Sequence, residues 1–142
     1  MLEFLDLEPG LTVVDGTVGG GGHSRHILKQ IGPAGTLVGL DRDRSMLARA
    51  GLVLSAPNCH LRQASYAELP QILVELGIEH ADRVLLDLGL SSDQLADAGR
   101  GFGFETEGPL DMRFDATTGE PAWKLLAHLD ERSLADIFER YG

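Results

Sequence analysis

VVDGTVGGGGHSRHIL, Val13 to Leu28, runs from an apolar stretch ending on an acid into four consecutive glycines and out again into a segment with helical spacing. The fold class follows from this stretch. Leu11 to Asp15 is short, partly β-branched and bounded by Gly10 and Gly16, which predicts a buried strand. His23 to Ile31 places apolar residues at helical intervals and stops at Gly32 and Pro33, and Thr36 to Asp41 (TLVGLD) is a second strand candidate that again ends on an acid. Strand, glycine loop, helix and strand in this order make a βαβ unit, whose strands lie parallel.

The alternation continues outward from that unit. Asp43 is placed to cap a helix over Arg44 to Leu54, Cys59 to Ala64 reads as a third strand and Gln71 to Leu76 as a further helix. Ser65 and Glu68 have the spacing of a capping box, yet Pro70 would then fall inside the helix, so the spacing favours a turn at 65–68 and a helix with Pro70 in its first turn. Val84 to Leu88 (VLLDL) predicts a fourth strand, apolar enough for the middle of a parallel sheet. From Gly89 to about Gly119 periodicity is lost, and Pro121 to Leu129 and Glu131 to Tyr141 then read as two amphipathic helices.

Composition narrows the functions available. The 142 residues are 43% hydrophobic, which suits one globular domain, and the 18 glycines cluster instead of repeating. Cys59 is the single cysteine, and the opening residues MLEFLDLEPG lack the basic and apolar regions of a secretory signal, so a reducing cytoplasmic setting is expected. No apolar run is long enough to span a bilayer. The net charge of −10 arises in the second half: residues 1–71 carry 7 acids and 6 bases, residues 72–142 carry 15 acids and 6 bases. Such a balance argues against a nucleic-acid partner unless a local patch or sequence beyond this chain supplies the basic face. No metal site is expected, because His23, His26, Cys59 and His60 lie on different elements without the compact spacing zinc requires.

In an open α/β sheet, ligands bind beyond the carboxyl ends of the strands, where a bare loop lets a ligand approach the backbone. The sequence only nearly meets GxGxxG, since the sixth position counted from Gly19 is Ser24. A side chain at Gly21 is expected to intrude on ligand space. Asp41 stands about 20 residues past the loop, where a carboxylate accepts hydrogen bonds from both ribose hydroxyls of an adenosine cofactor. Its competing role is a surface acid at the next helix. Loop and acid together indicate adenosine but leave a nicotinamide dinucleotide and S-adenosylmethionine both open. LLDLGLSSDQL, Leu85 to Leu95, puts Asp87 near the end of the fourth strand, followed by glycine and serines. Such a set suits methyl transfer to an amine, where a lone pair must be aimed and a proton accepted, better than hydride transfer.

DGTVGGGGHS, LDRD, LLDLGLSSDQL, RGFGF and GPLDMR, in this order, resemble the MraW family of small-subunit ribosomal RNA methyltransferases over about Val13 to Gly142. The resemblance implies a partial Rossmann-like α/β sheet of the class I S-adenosylmethionine-dependent methyltransferases. It places the cofactor part at residues 1–110 with four strands, and the start of a helical insert domain at 111–142. It also implies that the chain corresponds to an N-terminal fragment, inactive alone, of an enzyme that makes N4-methylcytidine in 16S rRNA of the small subunit. Gly21, Gly22 and His23 would line the methionine end of the cofactor, Asp41 would hold the ribose, and Tyr66 would sit by the adenine. Asp87 and Gln94 would complete the pocket, Asp87 or the carbonyls after it would draw on the substrate amine, and Ser91 would orient the base. Asp93, Gly103 and Phe114 depart from the family pattern. A non-catalytic nucleotide-binding module is the competing reading, and a homodimer is left open. Arg100 to Arg113 is expected to pack its phenylalanines and to bring Arg100 or Arg113 to the substrate. Trp123 is expected to pack with Leu125, Leu126 and Leu129 between insert helices.

Overall fold

The computed structural model describes residues 2–105 and 107–142. They form two compact units, divided between Gly89 and Leu90.

The first unit is a four-stranded sheet, all parallel, built from β1 (Thr12–Asp15), β2 (Thr36–Asp41), β3 (Cys59–Gln63) and β4 (Arg83–Leu85) in the order β3-β2-β1-β4. α1 (Gly22–Ile31), α2 (Arg44–Val53) and α3 (Leu69–Glu75) are its crossovers. Alternation along the strands divides the core. Val13, Leu37 and Leu85 pack with Ile27 and Ile31 of α1, while Val14, Val38 and Leu40 pack with Ile72 of α3. Full burial of such side chains contributes about 1.5–3 kcal/mol each. Leu2, Leu5 and Leu7 add to the first cluster, and Arg83 Nε holds that segment by donating to the Leu5 carbonyl at 2.6 Å.

Local signals explain the element ends. Gly32, at φ +66°, closes α1 by donating to the Leu28 carbonyl. Asp43 caps α2, its Oδ1 accepting from the backbone N–H groups of Ser45 and Met46. At Ser65 the expected turn forms, as a 3₁₀ turn over Tyr66–Glu68 that runs into α3 at Leu69, and it also carries the Ser65–Glu68 capping box that the expectation set aside. Pro70 still falls in the first turn of α3, so the box and the proline do not compete. β4 is shorter than expected. Its ladder ends at Leu85, and residues 86–89 leave the sheet as irregular backbone.

The second unit holds α4 (Ser92–Ala96), absent from the sequence expectation, and α5 (Ala122–His128) and α6 (Glu131–Tyr141). A short α4 of one turn and a half shows no apolar period; its signal is the Ser91 cap. Between α4 and α5, Phe102 is buried with its ring 5.3 Å from that of Phe114. α5 and α6 contain no buried residue, and Trp123, Leu125 and Leu126 stay about half exposed, so the expected packing of these side chains is not formed. Among the described residues no helix is long and apolar enough to cross a membrane.

Candidate cofactor site

β1 is the point where the sheet changes direction: the chain proceeds from it to β2 and β3 on one side, while β4 lies on the other. A crevice beyond the carboxyl ends of β1 and β4 is where such a sheet takes a ligand. The glycine loop stands there, tied to the sheet by Val18 N–H donating to the Leu40 carbonyl at 3.0 Å. Val18 packs under the loop because β2 carries Gly39 beside it; a Cβ on Gly39 would lie 2.8 Å from Val18 Cγ2 and 2.6 Å from Leu61 Cδ2.

Within the loop the glycines serve two purposes. Gly21 caps α1 at φ +88°, and a Cβ there would meet Val53 and Leu54 at 3.1–3.3 Å. Left-handed backbone against the end of α2 therefore constrains Gly21 in a way the sequence reading does not contain. Gly20 and Gly22, by contrast, face open space, with nothing within 4 Å of where a Cβ would stand. The bare surface belongs to them.

Asp41, at the end of β2, clasps this loop. Its Oδ2 accepts the Gly19 N–H at 2.7 Å and its Oδ1 accepts the Asp43 N–H at 2.8 Å. Each carboxylate oxygen has a second lone pair, so ribose hydroxyls remain acceptable as donors. Across the crevice, Asp87 Oδ2 lies 3.6 Å from His23 Nδ1 with both side chains partly exposed. Tyr66, after β3, is also half exposed, with its Cβ near Gly16 of the loop. The structure thus brings Gly21, Gly22, His23 and Asp87 to one loop, with Asp41 bonded to it and Tyr66 beside its first residue. Ser91 and Gln94, in the second unit, close on each other: Ser91 Oγ accepts the Gln94 N–H at 3.2 Å and Gln94 Oε1 accepts the Ser91 N–H at 2.9 Å.

Sequence reading passed over Asp15. Its carboxylate is 0% exposed, accepts the Ser24 hydroxyl at 2.6 Å and the Thr17 N–H at 3.2 Å, and so pins the start of α1 to the end of β1. Burial raises its pKa above the ordinary carboxylate value, opposed by these two hydrogen bonds. The signal was present, since an acid ending an apolar strand directly before a glycine loop is hard to place in solvent. The arginines of the Arg100–Arg113 segment bond within their own loop. Arg100 Nη2 donates to the carbonyls of Arg113 and Phe114, while Arg113 pairs with the Asp111 carboxylate through two 2.7 Å bonds and donates from Nη1 to the Gly119 carbonyl at 3.0 Å, so both brace their own loop. Phe104 is fully exposed while Phe102 is packed. Thr106 of this segment lies outside the described residues.

A parallel sheet reversing at β1, a bare loop after it and an acid clasping that loop from the end of β2 define a Rossmann-like nucleoside-cofactor domain. The chain belongs to the MraW methylase family, whose sequence model matches residues 1–142. It is 49% identical over 144 residues to ribosomal RNA small subunit methyltransferase H of Syntrophotalea carbinolica, covering 100% of this chain and 46% of that protein. The corresponding protein of Chromohalobacter salexigens is 46% identical over 142 residues, with 99% and 43% covered. The chain therefore spans under half the length of these relatives. In fold it is similar to Aeropyrum pernix fibrillarin, a crystal structure with natively bound S-adenosyl-L-methionine, at a TM-score of 0.51 and 19% identity over 58% of this chain and 36% of that one. The fold is that of the class I S-adenosylmethionine-dependent methyltransferases.

Proposed function

We propose that the chain binds S-adenosylmethionine in the crevice beyond β1 and β4 and serves methyl transfer to the N4 amine of a cytidine in 16S rRNA of the small subunit. One observation carries the reading: the bare side of the loop, at Gly20 and Gly22, adjoins Asp41 at one strand end and Asp87 at another. Family membership and the relatives' printed names support RNA as the methyl acceptor. The cofactor, when bound, supplies an electrophilic methyl group on a sulfonium.

The chain's own residues then have separable tasks. Asp41 accepts the ribose hydroxyls, Tyr66 offers its ring to the adenine, and the backbone at Gly21, Gly22 and His23 lines the methionine end together with the Asp87 carboxylate. Cytosine's amine lone pair is delocalised into the ring. Asp87 draws on an amine N–H, favours pyramidal nitrogen as the bond to carbon forms, and takes the proton released. We assign Ser91 to orienting the base and Gln94 to fixing the turn that carries it. No metal and no membrane enter the scheme.

The test joins this chain to the remaining length of the Syntrophotalea carbinolica relative and supplies small-subunit RNA with labelled S-adenosylmethionine. The expected product is N4-methylcytidine in 16S rRNA, lost in Asp87→Asn, with no turnover by the 142-residue chain alone. A joined protein that binds NAD and not S-adenosylhomocysteine, or that methylates another atom, would overturn the proposal.

A further inference from the structure

Thr17 ties together the two strand ends that make the crevice. Beyond Leu85 the β4 ladder is finished; its last tie to the loop is Gly16 N–H donating to the Leu85 carbonyl at 2.9 Å. Two residues further on, the Asp87 N–H donates to Thr17 Oγ1 at 2.8 Å, a bond across 70 positions of sequence. The Thr17 N–H in turn donates to buried Asp15 Oδ1. A rigid anchor thus runs from the buried end of β1 through one hydroxyl to the backbone of the residue whose carboxylate stands 3.6 Å from His23.

We propose that Thr17 is a positioning residue, which fixes the Asp87 carboxylate at the reactive end of the cofactor crevice. The inference rests on the role given to Asp87 above. Its physical basis is that residues 86–89 are irregular, include Gly89 and have left the ladder, so ordering them has an entropic cost that a strand would have met by pairing. A hydroxyl on a β-branched side chain has few χ1 states to lose and holds its oxygen in place. Serine keeps the acceptor without the branch, and valine keeps the branch without the acceptor.

That pair of substitutions separates a positioning role from a structural staple. S-adenosylhomocysteine is titrated calorimetrically into the chain, Thr17→Val, Thr17→Ser, Asp87→Asn and the double variant Thr17→Val/Asp87→Asn, and amide exchange at Asp87 is followed in the free proteins. Asp87→Asn retains the backbone N–H and therefore the bond to Thr17. Thr17→Val is expected to weaken binding by about three- to tenfold, the effect of one net hydrogen bond, and to speed exchange of the Asp87 amide. Thr17→Ser restores both. In the double variant the valine adds nothing to the loss already caused by Asp87→Asn, because Thr17 acts through that side chain. Additive losses would mark Thr17 as a general staple and overturn the proposal. So would a fast-exchanging Asp87 amide in the parent chain, a result independent of whether Thr17→Val folds. If the parent binds no S-adenosylhomocysteine, the cofactor reading fails, while amide exchange still decides whether Thr17 holds Asp87.

Discussion

Replacing Asp41 removes two different things at once, and their sizes can be separated. In the free protein, Asp41→Ala deletes the acceptors of the Gly19 and Asp43 N–H groups, at 2.7 and 2.8 Å. Hydrogen bonds to a charged group contribute about 1.5–3 kcal/mol each when buried. Asp41 and Gly19 are only partly buried, so water replaces part of what is lost, and a total near 2–3 kcal/mol is the expected fall in stability. Loss of the ribose contacts weakens S-adenosylhomocysteine by a further 1–3 kcal/mol, roughly. Asp41→Asn keeps one oxygen and should fall between alanine and the parent in both quantities. Urea unfolding reads the first effect and calorimetric titration the second. If Asp41→Ala unfolds at the parent's midpoint, the clasp on Gly19 contributes nothing; if it also binds equally well, Asp41 is a surface acid and the assignment is wrong.

Other expectations follow from the same geometry. Gly21→Ala forces a Cβ into left-handed backbone against Val53 and Leu54, and should cost about 1–3 kcal/mol in unfolding experiments, with Gly21→Val costing more. Unchanged stability would refute the strain. Asp15 has a folded-state pKa raised by burial above the unfolded value of 3.8, so the folded protein holds its proton more tightly and stability falls as pH rises between the two values. Asp15→Asn should therefore gain stability relative to the parent as pH climbs through that window and show no such gain below it; a pH-independent difference would contradict the burial penalty. Val84, 47% exposed on an outer strand, should promote self-association, and Val84→Lys should raise the concentration at which light scattering begins. Identical scattering in both proteins would show that this edge attracts nothing.

Much of the cofactor half was legible because its signals are local. β2 has the bounds its apolar run indicates, α1 starts one residue before the expected position, and the Gly32 stop and Asp43 cap act where the sequence places them. The end of β4 was not legible, since Leu86 and Leu88 continue an apolar run that the ladder does not follow. Pairing depends on the neighbouring strand, and β1 ends at Asp15, opposite Leu85. The same limit hid Thr17, whose partner is 70 residues away. Charge alone likewise says nothing of the carbonyls and the Asp111 carboxylate that Arg100 and Arg113 bond in the fold. Phe104 shows the reverse, an apolar side chain left outside by a glycine-rich loop.

If the glycine loop, Asp41 and Asp87 form one adenosine-cofactor cradle, a backbone amide NMR titration with S-adenosylhomocysteine will reveal it. Saturable shifts concentrated at Gly19 to His23, Asp41, Tyr66 and Asp87, with NAD producing none of them, are the expected result. Shifts confined to residues 90–142, an equal response to NAD, or no response at the loop would show that no such cradle exists.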